Sequence, residues 1–317
     1  MRFRKKVVNL SQIDSNDDAF RITTEKQVDD LMHSINHVGI MHLPLLLEKE
    51  ATYTIVCGFR RIEACRRLNW SKLEAMVLES DTIRLKCIKY AITDNAFQRS
   101  LNLIEKSRSI EMLSDFFKDI NRLSEELSVL GLSEHPSMIK KLKGICHLPD
   151  PLQNCILSNT ISLAMLLELA GMSEDDSKGF IKLFNTLKLS LNKQREIVTM
   201  AKEIAMREDK SILKVIEEYH LKKILMDEDL DKNRKAHDIR IYLKQRRFPT
   251  IANIEKSYEK YRQKLNLEKG FKLIPPINFE SPTYTLQLSF NNMTQLKELK
   301  TAFDALIENP YLKKIVD

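Results

Sequence analysis

Seven glycines are spread over 317 residues, and between residues 81 and 226 almost no turn signal interrupts the chain. Tight turns, hairpins and phosphate-cradling loops draw on glycine because it alone enters positive φ without strain. A chain this poor in it runs mostly as helix and lacks a glycine-rich phosphate loop. Hydrophobic residues reach 43%, enough for real cores, and the length predicts two or three units. Lys and Arg number 51 against 44 Asp and Glu, a formal charge of +7 that permits a polyanionic partner without requiring one. No apolar run approaches the ~20 residues of a membrane span. The start, MRFRKKVVNL, lacks the apolar core of an export signal, and the five cysteines never fall as CxxC, so the expectation is reduced thiols in a cytoplasmic protein.

Pattern divides the chain further. Residues 6–13 read as a strand, 25–39 as a helix closed by Gly39, 43–48 and 52–57 as two strands around a charged turn, 60–69 as a helix and 73–79 as a strand. Residues 227–247 are almost all polar and read as a charged helix or linker, broken by Pro249. A helix follows with Ile251, Ile254, Tyr258, Tyr261 and Leu265 near a seven-residue repeat. After Pro275 and Pro276, residues 283–290 alternate as a strand, placing Tyr284, Leu286, Leu288 and Phe290 on one face. Residues 293–309 form an amphipathic helix striped by Leu296, Leu299, Phe303 and Leu306.

Three stretches could carry chemistry. In YTIVCGFRRIEACRRLNW, residues 53–70, a strand ends at Gly58 and a helix begins near Phe59. The first amides of a helix have no internal partner and its dipole favours negative charge there. Arg60 and Arg61 add donors suited to phosphate oxygens; a surface arginine pair on an ordinary helix start is the competing reading. In ITDNAFQRSLNLIEKS, residues 92–107, Asp94 and Asn95 are adjacent oxygen donors, with Glu105 further along. Such a pair suits a hard hydrated cation such as Mg²⁺, or serves as a helix cap. In residues 123–149 a short helix, a turn at Gly131 and a second helix bearing Lys140, Lys141 and Lys143 form either a helix-turn-helix or a plain helical hairpin.

The order of these stretches resembles the ParB family of partition proteins. FRITTEKQVDDLMHSINHVGIMHLPLLL is similar to the family's first box, YTIVCGFRRIEACRRLNW to its Y-x-I-V-x-G-E-R-R-x-x-A box, and DNAFQRSLNLIEKS to its E-N-x-x-x-R-x-L-N-x-I-E box. HLPDPLQNCILSNTISLAMLLEL resembles the segment after the family's helix-turn-helix, and YTLQLSF with NNMTQLKELKTAFDAL its C-terminal dimerisation unit. The resemblance implies a mainly helical α+β protein. Residues 1–90 would be a small mixed α/β nucleotide-binding domain and 91–226 a helical domain with the helix-turn-helix at about 123–146. Residues 227–270 would be a charged linker and 271–317 a strand-helix dimerisation unit. It implies a CTP-regulated clamp on double-stranded DNA, loading at a centromere-like site as a homodimer, nucleoid- or plasmid-associated, with no membrane partner. Arg21, Gly58, Arg60 and Arg61 would hold CTP, Asp94 and Asn95 would hold Mg²⁺, and Ser137, Lys140, Lys141 and Lys143 would face DNA.

Several positions depart from the family pattern. Phe59 stands where the family has Glu, and Asp94 replaces a Glu one methylene longer. DAFRI, residues 18–22, lacks the Gln-Pro ahead of the arginine, and that glutamine is tied to hydrolysis, so a weak CTPase activity is left open. The arm before the first strand is only about five residues, which leaves a ParA-type ATPase open as a partner. Two other functions compete. Sulfiredoxin shares the fold expected for the first domain, but its cysteine follows the turn glycine, where Phe59 stands here; Cys57 reads as a structural thiol. A DNA-binding transcription regulator could use the same scaffold without a segregation role. The His33–His37 pair has metal-ligand spacing but no evident third ligand.

Overall fold

The computed structural model describes residues 3–279 and 281–316; Met1, Arg2, Glu280 and Asp317 lie outside it. The chain divides into two compact units, Met1–Met172 and Ser173–Asp317. The cuts drawn from the sequence at 90, 226 and 270 are finer than this division.

The first unit opens with β1 (Arg4–Asn9), α1 (Asp29–Val38), β2 (Leu45–Lys49), β3 (Thr52–Cys57), α2 (Phe59–Arg67) and β4 (Lys72–Leu78). The sheet runs β1-β4-β2-β3, antiparallel except for the parallel β2–β4 pair. Val8, Leu46, Ile55, Leu73 and Val77 meet Ile35 of α1 and Ile62 of α2 in one buried core. The first strand stops at Asn9 rather than 13, because Leu10 gives its amide to Ser71 and turns inward with Ile13. The first helix starts at Asp29 rather than 25. Residues 23–25 before it are tied elsewhere, the Thr24 amide to the Glu105 carboxylate and the Glu25 amide to the Thr23 hydroxyl.

Helices follow: α3 (Arg84–Ala96), α4 (Leu103–Ser114), α5 (Ile120–Val129), α6 (Pro136–Leu142), α7 (Asp150–Leu157) and α8 (Leu163–Ala170). Helix α3 packs on β3 and buries Cys87, Ile88, Ala91 and Ile92, which carries Asp94 at its last turn back towards the start of α2.

The second unit comprises α9 (Glu174–Leu187), α10 (Leu191–Glu208), α11 (Ile212–Ile216), α12 (Tyr219–Met226), α13 (Lys232–Arg247), α14 (Pro249–Leu265), β5 (Phe271–Ile274), β6 (Thr285–Leu288), α15 (Met293–Ile307) and α16 (Pro310–Val316). The charged segment around 227–247 becomes α13. It buries only a thin stripe, Ala236, Ile239 and Leu243, against α9, α10 and α12. Ion pairs supply the rest: Arg246 forks onto Glu208 at 2.5 and 2.9 Å and also meets Glu218, Arg247 holds Glu203, and Arg240 holds Glu196 at 2.6 Å. Strand β6 spans 285–288 rather than 283–290, because its partner β5 offers four residues, with Phe271 opposite Leu288 and Ile274 opposite Thr285. This hairpin, α15 and α16 pack on α14 around Tyr258, Leu265, Leu273, Leu306 and Ile315. Of the four residues expected on one strand face, Tyr284 and Leu286 join that cluster, whereas Leu288 and Phe290 are exposed.

The Arg246 fork, working against partial desolvation and helped by Lys210, brings the Glu208 carboxyl down to about 2 from its ordinary 4.5. A depressed folded-state pKa adds stability in full above the unfolded value and loses it as pH falls. Thermal melts of the wild-type chain are therefore expected to drop between about pH 4.5 and 2. Glu208→Gln should lower the plateau above pH 5 and flatten that acid limb; an unchanged limb would show that the pair adds nothing.

Candidate functional site

The turn from β3 into α2 is built on Gly58, whose φ of 91° lies in the left-handed region. A Cβ there would stand 2.9 Å from the Pro44 Cβ and 3.2 Å from the Arg61 Nε. The missing side chain thus permits the backbone turn and also makes room for the Arg61 guanidinium. Immediately after it, α2 begins with no side-chain cap, leaving its first amides unclaimed by capping.

These residues open onto a cleft of about 330 Å³ whose lining includes Gly58, Arg60, Arg61, Asp94, Asn95 and Arg99. Five positions singled out in the sequence thus come together in the first unit, from two segments over thirty residues apart. Arg60 rests on a neutral acceptor: Nε and Nη2 donate to the Gln27 carbonyl at 3.3 and 3.0 Å. Arg61 is held more firmly, with Nη1 donating to the His42 carbonyl at 2.7 Å and Nη2 to Asp94 Oδ2 at 3.2 Å. The other Asp94 oxygen accepts from Gln98 at 3.0 Å, and Asn95 donates its amide to the Ala91 carbonyl at 2.8 Å. Arg21 stands apart from the lining. It pairs with Asp18 at 3.1 Å and lies 5.4 Å from the centroid of the Phe59 ring, which does line the cleft.

Thr23, Gln98 and Arg99 also line the cleft and were not singled out from sequence. Arg99 forks onto Glu105 with two bonds of 2.7 Å, and its Nη2 also reaches the Thr23 hydroxyl at 3.3 Å. Glu105 is fully buried and is not a cation ligand in waiting. Burial pushes its carboxyl up, but Arg99 and the amides of Thr24 and Asn102 outweigh this and leave its pKa lowered. Its side chain also closes a capping box with Asn102 at the start of α4. The spacing N-x-x-E in LNLIE was the available signal for that role.

The oxygen donors set the limits of any metal chemistry. Among the described residues, no group of three or more His, Cys, Asp or Glu is placed to hold a metal ion. Asp94 and Asn95 fit a cation that takes one or two protein oxygens and keeps its water or phosphate ligands, the habit of Mg²⁺. They do not fit a zinc-type site. The His33 and His37 rings lie 4.9 Å apart without joining such a group. Thiol chemistry is disfavoured as well. Burial, reinforced by Asp94, pushes the Cys57 thiol far up, and burial takes Cys65 to about 11, so neither offers a thiolate at neutral pH.

A second surface lies on α5 and α6. Gly131, at φ 91°, makes the turn between them. Ile139 and Leu142 of α6 are buried, while Ser137, Lys140 and Lys141 are exposed on its opposite side and Lys143 is exposed at its C-cap. The His135 Nδ1 caps the helix by accepting from the Ser137 amide at 3.3 Å and lies 2.9 Å from the Ser137 hydroxyl.

Gly58→Ala tests the corner directly. The strained φ and the Pro44 contact should cost on the order of 1–3 kcal/mol of stability, read by denaturant titration. A neutral effect would mean that the corner relaxes freely.

Part of the chain is similar in sequence to known proteins. Residues 4–96 match the ParB N-terminal domain family model. A nucleoid occlusion protein of Halalkalibacterium halodurans is 23% identical over 154 residues, covering 49% of this chain and 52% of that protein. A nucleoid occlusion protein of Bacillus licheniformis is 27% identical, covering 55% and 60%. A probable chromosome-partitioning protein ParB of Campylobacter jejuni is 22% identical, covering 62% and 69%. The chain thus spans between about half and 69% of the length of these curated relatives. Among solved structures, a C-terminally truncated chromosome-partitioning protein ParB from Caulobacter crescentus complexed with CTP-gamma-S is 22% identical and covers 57% of this chain and 98% of that one. Its TM-score, 0.27, is too low to bear on the fold. Residues 4–96, which include the Gly58 corner, thus match the ParB N-terminal domain.

Proposed function

We propose that this protein is a nucleotide-regulated DNA-binding protein of chromosome or plasmid partition, a dimeric clamp that takes CTP with Mg²⁺ in the cleft of its ParB N-terminal domain. The observation that carries the reading is the convergence of Gly58, Arg60 and Arg61 with Asp94 and Asn95 on one cleft. A helix N-terminus and arginine donors suit a polyphosphate, and a carboxylate beside a carboxamide suits the hydrated cation that accompanies it. Mg²⁺ there would offset phosphate charge. Arg21, beside Phe59, belongs to the second layer of this site and acts through that ring. The cleft volume lies within the range of small-molecule sites.

Ser137, Lys140, Lys141 and Lys143 form the DNA-facing surface, the lysines reaching phosphates and fixing register. Homodimerisation through residues 271–317 is supported by the exposed Ile277, Leu288, Phe290 and Met293 of the strand-helix region. The finer domain division belongs to the same proposal, which leaves a ParA-type ATPase as partner and CTP hydrolysis open. Use of the scaffold by a transcription regulator has no particular observation in its favour.

Binding of radiolabelled CTP, GTP, UTP and ATP, with and without DNA, tests the reading; selective retention of CTP is expected. Arg60→Ala should weaken CTP by tenfold or more, since a charge-assisted contact contributes about 1.5–3 kcal/mol. Unchanged binding in a folded variant would remove Arg60 from the site. For DNA, replacing both Lys140 and Lys141 should weaken binding across all sequences and reduce the salt slope by about one unit per lost phosphate contact. A double variant with the wild-type slope would place those lysines off the backbone.

A further inference from the structure

The two arginines at the start of α2 are not equivalent, and the difference concerns how the cleft would fill. Among the described residues Arg60 pairs with no carboxylate; its bonds go to the Gln27 carbonyl. Arg61 is anchored at Nη1 by the His42 carbonyl and faces Asp94 through Nη2 at 3.2 Å. Both partners of that ion pair are largely shielded, with side-chain exposures of 16% and 30%. The pair joins the start of α2 to the end of α3 across the cleft, and Gln98 steadies the carboxylate from its other oxygen. A guanidinium offset by a carboxylate at this distance is a weak phosphate receptor. A carboxylate offset by a guanidinium is likewise a weak cation ligand.

We infer that Arg61 and Asp94 form a displaceable latch, closed in the ligand-free chain and opened by exchange, in which Asp94 turns to a cation and Arg61 is released to phosphate. The inference rests on the nucleotide reading and goes beyond it in assigning a reciprocal coupling. Each half of the pair is freed only when the other half finds a new partner, so cation and polyphosphate reinforce one another's binding by the same factor. Without the cation, phosphate must compete with Asp94 for Arg61. Arg60, already without a carboxylate, is the receptor available first. Gly58 belongs to the device, because a Cβ there would press on the Arg61 Nε that the latch requires.

Calorimetric titration of the full chain with CTP, in EDTA and in Mg²⁺, tests the latch through Asp94→Asn. In EDTA the variant should bind CTP more tightly than the wild type, by about three- to tenfold, because Arg61 is no longer offset. Added Mg²⁺ should strengthen the wild type at least tenfold, on the order of one charge-assisted contact, and leave the variant nearly unchanged. Simple relief of Asp94 repulsion would tighten CTP in EDTA to the same degree in an Arg61→Ala background, whereas the latch requires that gain to vanish there; equal or weaker binding by Asp94→Asn in EDTA, or an undiminished gain beside Arg61→Ala, overturns the latch. Asp94→Ala, which cannot accept the Arg61 bond, should shift binding in EDTA in the same direction, and a thermal melt establishes that each variant is folded. Inorganic tripolyphosphate in parallel separates the two readings. The same pattern with tripolyphosphate, but no CTP binding to the wild type, overturns the nucleotide assignment and supports the latch. Failure of both ligands to bind the wild type overturns both.

Discussion

A carboxylate with no solvent exposure underlies the first unit. Glu105 sits at the start of α4, and an ionised group in such a place survives only when its lone pairs are filled. Arg99 fills two of them, and the amides of Thr24 and Asn102 fill others. The same cluster is drawn tighter by Arg108, which donates to the carbonyls of Ile22 and Thr23. One charge therefore ties the irregular segment before α1 to the helix that follows α3. Thr23 and Arg99, both on the cleft wall, take their places from this arrangement. Removing Glu105 would cost Arg99 its two 2.7 Å bonds and take the acceptor from the Thr24 and Asn102 amides.

The cleft shows how charge is divided between structure and recognition. Arg99 is neutralised by Glu105, and Arg61 is offset by Asp94, while Arg60 leans on a carbonyl. Three arginines of similar chemistry thus differ in how much positive potential each presents to an anion. Distance along the chain gives no hint of this, since Arg60 and Arg61 are adjacent. Their side chains leave successive positions of one helix about 100° apart, which sends one to the loop before α1 and the other to α3.

In the second unit the same physics appears on a polar helix. Helix α13 buries too thin a stripe to hold itself by apolar contact, and a segment read as charged becomes structural through its partners. Glu196, Glu203 and Glu208 lie on α10 and Glu218 just ahead of α12, and each meets an arginine of α13. Pairing of this kind is invisible in composition, because the acidic partners are 28 to 44 residues away.

Much of the secondary structure was legible in local pattern. The paired strands 45–49 and 52–57, the helix after Gly58 and the long helical run all follow from alternation, periodicity and scarce glycine. Two boundaries moved with a tertiary partner: the Leu10 amide goes to Ser71 where β1 ends, and four-residue β5 set the length of β6. The sequence by itself determined that Gly58 must turn a strand into an uncapped helix with two arginines, since backbone sterics and helix geometry are local. Only the tertiary structure decided which of those arginines is offset by a carboxylate. That depends on α3 packing against β3 and bringing Asp94 to Arg61, a contact between segments 33 residues apart.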